Sequence, residues 1–231
     1  MASGILRTPR VINVQPTKKH TASLFIFHGS GSTGKDVKEW IDILNRDEFK
    51  FPHIKIIYPT APAQPYTPLG GMLSNVWFDR NDVNIKAPEN KESIDAIAKT
   101  ATELIDSEIK DGISEDRIVV SGFSMGGAMA MYLAYNYRPS LASCVTMSSF
   151  LNDNSLVYET LKNNIKTPPL LQFHGLNDSL VPFAWGEKTH ENLKKLNVNT
   201  KLVPIPNIEH EIVQSEIHQF KEWVLNILPD V

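Results

Sequence analysis

Gly122-Phe123-Ser124-Met125-Gly126 reads G-x-S-x-G. The run Arg117–Ser121 before it is apolar and β-branched, and a helical run, GGAMAMYLAYN, follows it. A strand that turns sharply into a helix would hold Ser124 in a strained backbone conformation at the rim of a sheet. Strand and helix would then pass so closely that only glycine fits at 122 and 126. Such a turn presents a nucleophile. A serine hydroxyl attacks poorly without a base to take its proton. The chemistry suggested is acyl transfer, with a base and an orienting acid supplied from elsewhere.

In this architecture the partners follow in the order serine, acid, histidine. Asp178 lies in HGLNDSLVP, just past the strand-like run Leu170–Phe173. His210 lies in PNIEHE, between the run Lys201–Ile205 and the last helical pattern. Both fall at carboxyl ends of predicted strands, where sites on open α/β sheets form. His210 is the expected base and Asp178 the group that orients it. Asp153 is the rival acid, but its segment follows a strand one position too early. His174 precedes Asp178 and is expected to shape that loop. His190 and His218 sit in helical patterns and read as surface residues.

The developing oxyanion needs donors. The backbone N–H of Met125, at a helix start, is one. The turn His28-Gly29-Ser30-Gly31 follows the first buried strand, and the N–H of Ser30 is the expected second. The same loop holds a competing pattern. Gly29–Lys35 reads GSGSTGK, which fits a phosphate-binding loop up to its lysine. Asp36 then stands where a hydroxyl should hold magnesium, and its carboxylate would repel phosphate. A nucleotide-binding module is therefore the disfavoured alternative.

The elements that must carry these residues alternate. Predicted strands cover Ser23–Phe27, Ile54–Tyr58, Arg117–Ser121, Ala142–Met147, Leu170–Phe173 and Lys201–Ile205. Helical patterns cover Ser93–Ile109 and Glu211–Leu228, with apolar residues three and four apart. Alternation of this kind predicts an α/β fold: a mostly parallel sheet with helices on both faces. No repeat or linker breaks the chain, so one domain over residues 1–231 is expected. Prolines 59, 62, 65 and 68 recur every third residue. That period suits polyproline II and an SH3-ligand role, but a rigid surface loop near the site is preferred.

Composition removes other classes. The chain has 231 residues, 42% of them hydrophobic and 21% charged, which excludes disorder. Twenty-three basic residues against 26 acidic give a net charge of −3. No basic footprint for nucleic acid is visible, and none for an anionic membrane. The single cysteine, Cys144, sits in an apolar run and reads as a buried inert thiol. The N-terminus shows neither a signal peptide nor a myristoylation glycine, and no stable membrane anchor is expected. A cytoplasmic location is the simplest expectation.

Several longer stretches resemble the acyl-protein thioesterase and lysophospholipase family of α/β-hydrolases, closest to its lysophospholipase-like branch. These are FIFHGSGSTG, HIKIIYPTAP, SNVWFDR, GISEDRIVVSGFSMGGAMAM, FHGLNDSLVP and PNIEHE, in that order. The resemblance implies an α/β-hydrolase fold without a large lid and a serine hydrolase needing no cofactor or metal. It implies substrates that are acyl thioesters and esters, S-acylated proteins and lysophospholipids among them. It carries the catalytic roles onto Ser124, Asp178 and His210, and the oxyanion roles onto Ser30 and Met125. It also implies a substrate contact at Trp77. In acyl-protein thioesterases of this family the segment aligned with 64–76 helps build a long acyl tunnel. Here it reads QPYTPLGGMLSNV, and its prolines and paired glycines imply short acyl chains. A general small-molecule carboxylesterase, lacking protein thioesterase activity, is the alternative.

Overall fold

The computed structural model describes residues 9–163 and 166–231. The N-terminal expectations concerning Met1–Thr8 lie outside the described residues. The strands are β1 (Arg10–Val14), β2 (Ala22–Phe27), β3 (Ile54–Thr60), β4 (Ala63–Tyr66), β5 (Met72–Asn75), β6 (Ile118–Phe123), β7 (Ser143–Met147), β8 (Leu170–Gly175) and β9 (Thr200–Ile205). The α-helices are α1 (Gly34–Asn45), α2 (Lys91–Lys110), α3 (Met125–Tyr132), α4 (Leu156–Leu161), α5 (Phe183–Lys195) and α6 (Gln214–Ile227). Seven strands form one sheet in the order β1-β3-β2-β6-β7-β8-β9. Only the β1–β3 pairing in it is antiparallel. The six strands expected from sequence are β2, β3 and β6 to β9, each within two residues of its expected bounds.

Every residue of β2, β7 and β8 is buried. That follows from helices on both faces, which leave no solvated side for alternation to mark. One apolar cluster joins β2, β6, α2 and α3, and a second joins β2, β3, α1 and α6 on the opposite face. In α2 the residues Ile94, Ile97, Ala98, Ala101 and Ile105 form the buried stripe. Asn90 caps that helix by accepting from the Ser93 N–H at 3.1 Å.

The sheet order fixes where a site can form. From β2 the chain steps to β3 on one side, whereas from β6 it steps to β7 on the other. The crevice beyond the carboxyl ends of β2 and β6 is thus the switch point, where ligands bind in sheets of this kind. The loop His28–Gly31 and the turn at Ser124 both open there.

The proline series does not form polyproline II. Pro59 lies in β3 opposite Val11, Pro65 lies in β4 opposite Leu73, and Pro68 sits in a 3-10 turn. Strand pairing overrides the local preference because β4 is an edge, where a missing N–H is tolerated. The hairpin β4–β5 turns through Gly70 and Gly71 at φ 65° and 84°. Its turn is held by Asp79, whose carboxylate accepts from the Thr67 N–H at 2.8 Å and hydroxyl at 2.7 Å.

Helix α6 begins just past the segment carrying His210. Glu216 secures its first turn: Oε2 accepts from the Val213 N–H at 2.8 Å, and the Glu216 N–H donates to the Val213 carbonyl at 3.0 Å. The side chain is buried, and burial pushes its pKa up to about 7. The folded state therefore holds a proton that the unfolded state releases near pH ~4.3. Ionisation of Glu216 costs stability progressively between those values, and the cost is complete above pH ~7. Glu216→Gln keeps an acceptor for Val213 and removes the ionisation. The variant is expected to exceed wild type by up to about 3 kcal/mol at pH 8, with the gap closing towards pH ~4. Urea unfolding at the two pH values checks this.

Candidate active site

Ser124 stands at the junction of β6 and α3 with φ 54° and ψ −122°. For a residue with a side chain this region costs about 1–3 kcal/mol and persists only under constraint. The constraints are visible. The Ser124 N–H donates to the Met147 carbonyl at the end of β7, 2.9 Å away. A Cβ at Gly122 would stand 2.3 Å from the Gly126 carbonyl carbon. A Cβ at Gly126 would stand 2.2 Å from the Phe27 carbonyl oxygen. Both glycines therefore serve the close approach anticipated from sequence.

Asp178 and His210 are brought together. The Asp178 Oδ2 and the His210 Nδ1 are 2.7 Å apart, and Asp178 is 5% exposed. Oδ1 accepts from the N–H groups of Leu180 at 3.0 Å and Val181 at 2.7 Å. Burial raises the pKa of this carboxyl. The opposing hydrogen bonds from His210 and the Val181 N–H, with the nearby imidazole charges, outweigh it and leave the pKa below the usual carboxylate value. Asp178 is thus an anion at neutral pH, and its bond to Nδ1 leaves Nε2 of His210 as the nitrogen free to act.

The loop carrying His210 is fixed to the loop carrying Asp178 through the backbone. The Leu176 N–H donates to the Ile205 carbonyl and the Asn177 N–H to the Ile208 carbonyl, each at 2.9 Å. His174 shapes the Asp178 loop as expected: its Nε2 bonds the Val181 carbonyl at 2.8 Å. Asp153 is elsewhere, paired with Lys188 at 2.6 Å. His218 is exposed as expected, but His190 is half-buried, because its Nδ1 bonds the Thr200 hydroxyl at 2.9 Å. Cys144 is buried, and desolvation pushes its thiol far up, away from reactivity.

Ser124 and His210 line one cavity of about 470 Å³. The ring of Phe123, the residue before Ser124, is 4.7 Å from that of His210. The Ser124 hydroxyl has no hydrogen-bond partner among the described residues, an arrangement common before substrate tightens such contacts. Ser30 and Met125 line the same cavity and touch, with the Ser30 Oγ 3.5 Å from the Met125 Sδ. Neither of their backbone N–H groups donates to an acceptor among the described residues.

The sequence did not reveal what holds the Ser30 loop. His28 is fully buried, and burial lowers its pKa to about 4, so its ring is neutral. Its Nε2 accepts from the Ala61 N–H at 3.0 Å, and its Nδ1 therefore donates to the Gly29 carbonyl at 2.7 Å. The Gly31 N–H donates to the Asn75 carbonyl at 2.9 Å, tying the loop to the hairpin. Trp77 belongs to this support. It does not line the cavity; it is fully buried, and its indole N–H donates to the His28 carbonyl at 2.8 Å. The expected substrate contact at Trp77 is therefore replaced by a packing contact beneath the loop, set by the edge-on ring of Phe27 at 5.0 Å.

The GSGSTGK pattern forms no phosphate cradle. Asp36 occupies the helix start, accepting from the Thr33 hydroxyl at 2.7 Å, while Lys35 reaches outward to Glu39.

Comparison with known proteins settles the family. The phospholipase/carboxylesterase family pattern matches residues 8–227. The chain belongs to the phospholipase/carboxylesterase family. It is 48% identical to mouse (Mus musculus) lysophospholipase-like protein 1, over 96% of this chain and 92% of that one. It is 31% identical to acyl-protein thioesterase 1 homolog 2 of Dictyostelium discoideum, over 95% and 98%. The crystal structure of Zea mays acyl-protein thioesterase 2 superposes with a TM-score of 0.79 at 27% identity, over 95% and 99%. As a phospholipase/carboxylesterase family member the protein is a hydrolase with the α/β-hydrolase fold. Among the described residues no helix is long and apolar enough to cross a membrane.

Trp77→Phe keeps the ring and removes the donor, leaving the buried His28 carbonyl without its partner. The expected loss is about 1–3 kcal/mol of stability, read from urea unfolding.

Proposed function

We propose that the protein, working as one domain, hydrolyses acyl esters and thioesters through an acyl-serine intermediate on Ser124. The observation that carries this reading is the 2.7 Å bond between Asp178 and His210 beside the cavity that Ser124 lines. His210 takes the Ser124 proton through Nε2 as the hydroxyl attacks the carbonyl carbon. The N–H groups of Ser30 and Met125 receive the oxyanion. His210 then protonates the departing alkoxide or thiolate. Water repeats the sequence on the acyl-enzyme, and the acid leaves. Asp178 holds the imidazole in one tautomer and stabilises its charged form.

The substrates proposed are short acyl esters and thioesters, S-acylated proteins included. What supports short chains is the hairpin: Tyr66, Pro68 and Leu69 line the cavity from a segment stiffened by two prolines. The reading includes a cytoplasmic location. Its support is a single cysteine, buried and unpaired, in a chain that oxidising compartments would favour equipping with disulfides.

Ser124→Ala is expected to lower kcat for a p-nitrophenyl butyrate substrate by at least about 10³-fold. Asp178→Asn should cost about 10⁴-fold through the wrong tautomer. Unchanged rates in either variant would contradict the roles assigned. In an acyl series from acetyl to palmitoyl, kcat/KM should peak among the short chains. A peak at palmitoyl refutes the chain-length reading, and failure to cleave an S-acylated peptide favours the plain carboxylesterase.

A further inference from the structure

We propose that Arg80 binds an anionic group of the substrate, selecting esters that carry a carboxylate or phosphate near the scissile bond. This deepens the hydrolase reading and rests on it. Arg80 lines the cavity that Ser124 and His210 share. It is only 9% exposed, and arginine is almost never so buried without a counter-ion. Here no described carboxylate pairs with it. The acids around it are committed elsewhere. Glu89, which faces Arg80 in a backbone bridge, accepts from the Tyr132 hydroxyl at 2.7 Å and the Leu156 N–H at 2.8 Å. Asp79, the residue before Arg80, holds Thr67.

What does touch the guanidinium is aromatic. Its carbon lies 5.0 Å from the Phe78 ring centre and 5.5 Å from that of Phe150. The two rings pack beside the group, yet they cannot supply the acceptors that its N–H donors require. The Nε atom is buried with no partner among the described residues. The nearby cavity wall, Val83, Phe150 and Val181, is apolar, so little else screens the charge. A partly dehydrated guanidinium with idle donors gains a great deal from an incoming anion and nothing from a neutral chain. Carboxylate and phosphate share the required chemistry: oxygens that accept two parallel N–H bonds.

Two substrate pairs separate the sources of that anion. One pair compares p-nitrophenyl hemiglutarate with p-nitrophenyl valerate, placing a carboxylate on the acyl side. The other compares butyrylglycerol phosphate with butyrylglycerol, placing a phosphate on the alcohol side. In at least one pair, wild type should favour the anionic member in kcat/KM. Arg80→Met should lower that preference by about tenfold or more, through KM, with the neutral member little changed. Arg80→Lys should keep part of the preference. The pair that responds identifies the anion and its side.

If wild type favours the anionic member in neither pair, the proposal is overturned, whether or not the Arg80 variants fold. It is also overturned if Arg80→Met lowers both members of each pair equally, which is the outcome expected of a purely structural arginine. Ser124→Ala, assayed on the valerate ester, keeps the two readings apart. Activity surviving there sinks the acyl-serine mechanism. Activity lost there with an unaltered preference in Arg80→Met sinks the anion site alone.

Discussion

The structure depends on how closely α3 passes the ends of β2 and β6. At Gly126 a single added carbon would lie 2.2 Å from the Phe27 carbonyl oxygen, inside any permissible contact. At Gly122 it would meet the Gly126 backbone itself. This approach holds Ser124 at a positive φ, where it lines the cavity. It also lays the start of α3 beside the loop that leaves β2, so that Ser30 and Met125 come into contact. Two glycines therefore place the Ser124 side chain and two idle N–H donors at one switch point. A looser crossing would separate them.

The remaining partners are positioned by polar bonds in dry surroundings. Asp178 keeps its charge although burial opposes it, because three hydrogen bonds converge on its oxygens. His28 is the converse: burial keeps it neutral, and a neutral imidazole can both accept from Ala61 and donate to Gly29. One ionised carboxylate and one uncharged ring thus stand behind His210 and the Ser30 loop respectively. Both are fixed by the same low-polarity interior, with opposite consequences for charge.

Much of this was legible from local pattern. Ser124, Asp178 and His210 follow strand-like runs, and strand ends are where residues of this kind converge. The buried strands announced themselves as continuous apolar runs. Elements whose identity depends on neighbours were not legible. Strand β1, RVINV, is short, largely exposed and mixed in polarity, and only pairing with β3 makes it a strand. The hairpin was hidden behind a proline period that, read alone, suits another conformation. Trp77 shows the limit most clearly: its presence beside the site could be inferred, but the direction of its indole is set by His28 and Phe27. Arg80 carried no signal, because the lack of a counter-ion is a property of the folded surroundings and not of the sequence.

The account stands on Ser124 being primed by His210. Labelling with a fluorophosphonate probe, followed by peptide mass spectrometry, tests it most directly. The account predicts one adduct, on the peptide containing Ser124, formed much more slowly in His210→Ala. An adduct on a different serine, or an undiminished labelling rate in His210→Ala, would contradict it.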